Sequence, residues 1–269
     1  MFARKRSRVI VVRHGESEVN VQQICGGWID SPLTELGLKQ AHKIADILSR
    51  HRLRIDFCVS SVLSRAVRTR DIILEDLGLT NKIPIHQTWK LNECHSGAFT
   101  GLTLTKAEEV YGKDALRNRF MIYDSVPPLV DLDSQYNPAN DPKYADAEDR
   151  ELLPRGESVE MAWNRVEPFW KNNIEPLLSE NKNVLVVCHG NIIRPIMKYC
   201  EELTPEVGMQ RSVLPNCAAL MYDFRNGKYE NRQIIGDTDS LKGFKLSFRI
   251  RNAKDRRSQP SRIPTQGGM

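Results

Sequence analysis

The chain has 269 residues, 40% hydrophobic and 27% charged, which suits one large α/β domain with a full core. Its net charge of +5 sits at the ends: residues 1–8 carry four Lys/Arg, and residues 241–269 carry eight against one acid, Asp255, so the 9–240 body is mildly acidic. That distribution argues against a nucleic-acid-binding body and favours solvated basic ends, and no apolar run approaches the roughly 18 residues of a membrane helix. The start, MFARKRSR, lacks the apolar core of a secretory signal. Cysteines 25, 58, 94, 188, 200 and 217 show no metal-ligand spacing and read as thiols of a reducing, cytoplasmic compartment.

Taken in order, Val9 to Val12 is a β-branched run that predicts a short buried strand, followed at once by Arg13, His14 and Gly15. Thr34 reads as the N-cap of a helix carried by Ala41, Ile44, Ala45 and Leu48 through about Arg50. Phe57 to Ser60 predicts a second strand, and Ser64 to Leu74 a helix with Arg65 in its first turn. Arg65 thus falls just past a strand's carboxyl end, where open α/β sheets bind ligands. Pro84 to His86 predicts a third strand, and Thr105 to Tyr111 a helix. Residues 124–156 are rich in Pro, Asp, Asn and Tyr without periodicity, the composition of a lid or binding loop. Glu157 to Leu178 predicts a long amphipathic helix with Trp163 and Trp170 on its core face, bent or broken at Pro168. Val184 to Val187 then repeats the opening grammar, strand followed by Cys188, His189 and Gly190. A helix over Ile192 to Leu203 and a strand over Ala218 to Phe224 complete the chain. The alternation predicts a three-layer α/β/α sandwich with a mainly parallel sheet. The organisation expected is a basic extension at 1–8, a domain at 9–240 with 124–156 over its site, and a flexible basic tail at 241–269.

Two imidazoles, each leaving a buried strand next to a glycine, suggest a site for one phosphoryl group. A lone histidine after a strand is more often structural; the pair, with Arg13 and Arg65, carries the functional reading. A neutral imidazole can attack phosphorus directly, provided that cations neutralise the phosphoryl oxygens, and guanidinium forks bind such oxygens bidentately. On this reading His14 is the nucleophile and a protonated His189 supports the developing charge. Asn20, Asn191 and the backbone N–H groups of Gly15 and Gly190 supply further donors, and no metal is required. Both imidazoles need a route to solvent. Glu93 is the candidate general acid, because a like charge beside a carboxyl disfavours its ionisation. Lys106 is a weaker candidate for holding substrate. Arg117 and Arg119 read as solvated, with an anion-binding role as their alternative, and Cys94 and His95 read as structural.

These residues fall in an order that resembles the histidine phosphatase superfamily, and within it the cofactor-dependent phosphoglycerate mutases. The matching blocks are RHGESEVN at 13–20, GGWID at 26–30 with LTELG at 33–37, Ser61 to Ala66 with Thr69, WKLNE at 89–93, NDPKYA at 140–145, Glu157-Ser158, and His189-Gly190-Asn191 with Arg194. The resemblance implies His14 as the phosphorylated residue, Glu93 as acid/base, and Arg13, Asn20, Gly26, Gly27, Arg65, His189, Gly190 and Asn191 around the phosphate. It implies 3-phosphoglycerate and 2-phosphoglycerate as substrates, 2,3-bisphosphoglycerate as phosphoryl primer, no metal, and a homodimer or homotetramer. The chain departs from the family at Cys94 and Ser96, where an arginine and a substrate-contacting tyrosine are usual. Two extra residues in Leu102 to Lys106 shift the lysine, and Phe120 and Met121 stand where an arginine pair grips the second anion; Arg117 and Arg119 lie close by as candidate stand-ins for that pair. A phosphatase on the same scaffold is therefore the alternative, and a non-catalytic scaffold the third.

Overall fold

A computed structural model describes residues 6–147, 149–210, 213–237 and 241. Its sheet has six strands: β1 (Arg6–Arg13), β2 (Phe57–Ser60), β3 (Ile85–Gln87), β4 (Val184–Cys188), β5 (Ala219–Arg225) and β6 (Lys228–Ile235), in the spatial order β3-β2-β4-β1-β5-β6. The first four run parallel, β5 is antiparallel to β1, and β6 is antiparallel to β5. The expected mainly parallel sheet is present, closed on one side by an antiparallel hairpin.

The centre of the sheet follows from its composition. Strands covered on both faces read as continuous apolar runs, and all five residues of β4 are buried, as are Val9 to Val12 of β1. Alternate side chains divide between two cores. Val9, Val11, Val184 and Val186 face one layer with Trp163, Trp170 and Ile196; Ile10, Val12, Leu185 and Val187 face the other with Ala41, Ile44, Leu48 and Ile73. The helices are α1 (Glu18–Val21), α2 (Glu35–Arg50), α3 (Ser64–Asp76), α4 (Leu104–Tyr111), α5 (Lys113–Met121), α6 (Val159–Phe169), α7 (Glu175–Ser179), α8 (Gly190–Cys200) and α9 (Pro205–Gln210). The first layer is covered by α6 and α8, the second by α2 and α3. Thr34 caps α2 as expected, its hydroxyl accepting from the Gly37 N–H at 3.0 Å.

Several boundaries differ from expectation. β1 starts at Arg6 rather than Val9, because β5 pairs with it as far as Arg6–Arg225. The long helix does not break at Pro168; it widens into a π turn over Trp170–Ile174 between Pro168 and Pro176. Neither proline has an N–H to continue the ladder, and the Asn173 amide donates back to the Phe169 carbonyl at 3.1 Å. Residues 124–156 carry no long element but three single turns of 3₁₀ helix, at Pro138–Asn140, Pro142–Tyr144 and Arg150–Leu152. α1, α5, α9 and β6 are additions to the predicted elements. The tail expected at 241–269 lies outside the described residues except for Leu241.

Candidate active site

Strand register creates the site. Arg13 pairs with Cys188 across β1 and β4, so the next residue on each strand, His14 and His189, emerges at the same level. The His14 N–H donates to the Cys188 carbonyl at 3.0 Å, and the two rings lie 4.9 Å apart, tilted by 56°. β2 lies on the far side of β4 and ends at Ser60, which brings Ser61 to the same edge. The α8 N-terminus opens at Gly190, so its first N–H groups and positive dipole end face the same corner.

A cavity of about 150 Å³ occupies this corner. Its lining includes Arg13, His14, Asn20, Gly26, Gly27, Arg65, Glu93, Gly190 and Asn191, nine of the residues singled out from the sequence. His189 is not among the lining residues. It lies beside His14 with no exposed surface, and His14 keeps only 2%. The expected open route to both imidazoles is therefore met at His14 by the cavity and not met at His189, which the four β-branched or apolar residues of β4 carry into the interior.

The tautomer of His14 follows from its partner. A carbonyl can only accept, so the 2.7 Å contact between His14 Nδ1 and the Gly15 oxygen places the proton on Nδ1 and leaves the lone pair on Nε2. Burial, then Arg65 and Arg13, hold His14 well below the usual imidazole range against the opposing pull of that hydrogen bond. The ring is neutral at pH 7, as a nucleophile requires.

The cations are fixed by backbone. Arg65 is buried, donating to the carbonyls of Ile29 at 2.7 Å and Gly27 at 2.9 Å, and burial pulls it down to about 10, still charged at neutral pH. Arg13 donates through Nη1 to the Leu214 carbonyl at 2.7 Å, while its buried Nε has no partner among the described residues. Such an orphaned donor costs stability unless an acceptor reaches it. Glu93 Oε1 accepts from the Cys94 N–H at 2.8 Å, and Oε2 lies 3.4 Å from the Asn191 N–H, which ties the carboxylate to the α8 N-terminus. Asn20 Oδ1 accepts from the Ser17 N–H and hydroxyl at 3.1 and 3.0 Å.

Three expectations are corrected. Lys106 does not reach the cavity: it lies on the exposed side of α4, 3.1 Å from Glu109, and is not among the lining residues. Arg119 is not solvated. It is 3% exposed and lines the cavity, Nη2 donating to the Cys94 carbonyl at 3.3 Å, with buried Nε and Nη1 unpartnered among the described residues. Arg117 is exposed, as expected. The Gly15 N–H is not free for a phosphate, because it donates to Thr69 Oγ1 at 3.0 Å. Glycine is needed there for packing, since a Cβ at Gly15 would stand 2.5 Å from the Gly37 carbonyl oxygen.

Sequence reasoning missed the support beneath the site. Arg165 in α6 donates to both carboxylate oxygens of Glu157 and to the carbonyls of Lys90, Asn92 and Glu93 at 2.6 to 3.0 Å. One buried guanidinium thus shapes the loop that presents Glu93. Cys94 and His95 are structural as expected: burial pushes the Cys94 thiol up to about 12, and the His95 ring is satisfied by the Tyr136 carbonyl and the Gly97 N–H.

The family model described as "Histidine phosphatase superfamily (branch 1)" matches residues 9–129 and 130–235. A 2,3-bisphosphoglycerate-dependent phosphoglycerate mutase of Lactobacillus acidophilus is 36% identical over 200 residues, covering 74% of this chain and 86% of that protein. A second, from Lactiplantibacillus plantarum, is 35% identical over 218 residues, covering 81% and 94%. Among solved structures, a phosphoglycerate mutase from Bacillus anthracis superposes with a TM-score of 0.63 at 22% identity, covering 89% of this chain and 96% of that one. A mycobacterial glucosyl-3-phosphoglycerate phosphatase superposes with a TM-score of 0.62, also at 22% identity, covering 87% and 98%. At that identity the two structures bear on the fold alone.

Proposed function

Because this chain belongs to the histidine phosphatase superfamily, we propose that it is a phosphotransferase of the phosphoglycerate mutase kind, interconverting 3-phosphoglycerate and 2-phosphoglycerate through a phosphohistidine at His14. The observation that carries this reading is the juxtaposition of the His14 and His189 rings, 4.9 Å apart beside one cavity that also holds Arg13, Arg65 and Glu93.

The chemistry assigns each residue a task. Starting from phosphorylated His14, Glu93 takes a proton from the free hydroxyl of 3-phosphoglycerate, whose oxygen attacks the phosphohistidine to give a 2,3-bisphosphoglycerate intermediate and free His14. Nε2 of His14 then attacks phosphorus of the other phosphoryl group, the bond from phosphorus to the substrate oxygen breaks, and Glu93 returns its proton to the departing alkoxide, which leaves 2-phosphoglycerate and phosphorylated His14. Arg13 and Arg65 neutralise the phosphoryl oxygens, a contribution whose loss from phosphotransferases costs about 10³–10⁵ in rate. The donor set suits the 2,3-bisphosphoglycerate primer, which would supply the first phosphoryl group to His14: Arg13 and Arg119 both line the cavity and bring one guanidinium for each of two anionic groups. Arg119 is the proposed partner of the second anion, in place of the pair that Phe120 and Met121 replace. Residues 124–156 are the proposed cover that keeps water from the phosphohistidine. Six free, buried cysteines fit work in the cytoplasm, in glycolysis or gluconeogenesis.

Ser96 supports a second reading. It lines the cavity where the family's substrate-contacting tyrosine is usual, and a weaker hold on the dephosphorylated product would let water finish the cycle. Purified protein supplied with 3-phosphoglycerate and a trace of the bisphosphate decides between them. Formation of 2-phosphoglycerate supports the mutase; inorganic phosphate without it rejects the mutase in favour of a phosphatase.

A further inference from the structure

Below the cavity, a chain of hydrogen bonds runs from His189 to the buried Tyr144 and fixes the position of one proton at every link. His189 Nε2 lies 2.8 Å from Ser61 Oγ, Ser61 Oγ lies 2.8 Å from Asn92 Oδ1, and Asn92 Nδ2 donates to the Tyr144 hydroxyl at 2.9 Å. Asn92 cannot be turned over, because its Oδ1 also accepts from the Val62 N–H at 3.2 Å and a flipped amide would set two donors against each other. An amide oxygen only accepts, so the single hydroxyl proton of Ser61 points at Asn92. The Leu63 N–H donates to the same hydroxyl oxygen at 3.1 Å. What remains to Ser61 toward the imidazole is a lone pair, and Nε2 of His189 must bring the hydrogen. The other ring nitrogen, Nδ1, is buried with no partner among the described residues.

We propose that Ser61 and Asn92, anchored by Tyr144, are positioning residues that hold His189 as its Nε2–H tautomer. Nδ1 is then the atom offered to the phosphoryl group, and it takes up one proton, which enters by the cavity at His14, as a phosphate dianion binds. This rests on the reading that a phosphoryl group binds between His14 and His189. A neutral Nδ1 presents a lone pair to an anion and repels it; a protonated Nδ1 donates a charge-assisted hydrogen bond. In the free protein the proton is unfavourable there. The surroundings of the ring are Arg13 and His14 at the end of β1, Arg65 on α3, Arg165 on α6, Cys188 before it, Glu93 across the cavity and Tyr144 below. Burial first, then Arg65, His14, Arg13 and Arg165, hold His189 well below the usual imidazole range. The incoming dianion reverses the sign of that field and makes the second proton favourable. Tyr144 belongs to the 142–144 turn, so the seating of the 124–156 segment bears on His189 through two intervening side chains.

The test is nitrogen-15 NMR of histidine-labelled protein near pH 8.5, with and without saturating inorganic phosphate, which is then mostly the dianion. The expected result is Nε2–H with unprotonated Nδ1 in the free protein, and both nitrogens protonated with phosphate. Ser61→Ala removes the acceptor. It is expected to move the free ring to Nδ1–H and to weaken phosphate by about 5–150-fold, the cost of one stranded buried donor; Ser61→Thr, which keeps the hydroxyl, retains the wild-type tautomer. A free ring already protonated at Nδ1, or bound phosphate with Nδ1 unprotonated, overturns the proposal and leaves the phosphoryl site standing. If phosphate shifts neither His14 nor His189, the site reading fails and the proposal fails with it. The wild-type spectra decide the matter even if both variants fail to fold.

Discussion

Substitution of Arg165 by methionine should cost far more than its distance from the cavity suggests. Its side chain is 9% exposed and that of its partner Glu157 is 3% exposed; the two meet through paired contacts of 2.7 and 2.9 Å. Burial works against the Arg165 charge, yet Glu157 more than offsets it, leaving the guanidinium above its ordinary value. Methionine fills the volume but strands the carboxylate in the interior with, among the described residues, only the His95 N–H, at 2.8 Å, still donating to it. Removing one partner of a buried ion pair costs about 3–5 kcal/mol. For a domain of this size that corresponds to about 6–20 °C in Tm. The carbonyls of Lys90, Asn92 and Glu93 lose their common donor as well, so kcat should fall in protein that remains folded. Arg165→Met combined with Glu157→Gln removes the stranded charge and should recover about 0.5–3 kcal/mol relative to additivity. Urea unfolding followed by circular dichroism measures all three variants. A loss below about 1 kcal/mol for Arg165→Met, or a double variant as unstable as the sum of the singles, would refute this reasoning.

Glu93→Gln keeps the shape of the carboxyl and removes its proton exchange, so kcat should fall by about 10²–10⁴ in the coupled mutase assay. Arg119→Met should raise KM for 3-phosphoglycerate by about 10–150-fold, the worth of a charged hydrogen bond, and leave a phosphomonoester with no second anion almost unaffected. Acid should destabilise the fold in a defined window. His14, His95 and His189 are all held below the usual imidazole range, by burial first in each case. The unfolded chain therefore takes up protons near pH 6.5 that the folded chain refuses. Their contribution is complete above that pH and is lost below it, at about 1.4 kcal/mol per pH unit for each histidine. Urea midpoints measured from about pH 7.5 to 5.5 should fall accordingly, and a flat or rising series would contradict the burial of these rings as neutral groups.

The sheet's centre was legible because its strands are covered on both faces, and burial on two sides leaves an unbroken apolar run such as Val184 to Val187. β2 needed no correction for the same reason. β6 was not legible: Lys228 to Ile235 is an edge strand with half of its side chains exposed and only Ile235 buried, so solvent rather than a core selects most of its residues. α5 escaped because its weak periodicity hides a buried arginine. Arg119 looks like a surface residue in sequence, and only the Cys94 carbonyl, brought from another segment, makes its burial tolerable. The corner where the two histidines meet was legible because the strand-His-Gly pattern occurs twice and parallel pairing in register turns two distant copies into neighbours. The Ser61–Asn92–Tyr144 chain was not, since donor and acceptor roles are settled by geometry that no spacing encodes. Lys106 shows the converse error, a position carried over by motif whose ammonium turned to a neighbouring carboxylate.

Covalent capture at His14 tests the account most directly. Wild-type protein and His14→Ala are incubated with 2,3-bisphosphoglycerate labelled with phosphorus-32, quenched in alkali, digested, and the labelled peptide is sequenced. The account predicts one acid-labile, alkali-stable label per wild-type chain, on residue 14, and none on the variant. Label on any other residue, label that persists in His14→Ala, or wild-type protein that turns over substrate without ever becoming labelled would contradict it.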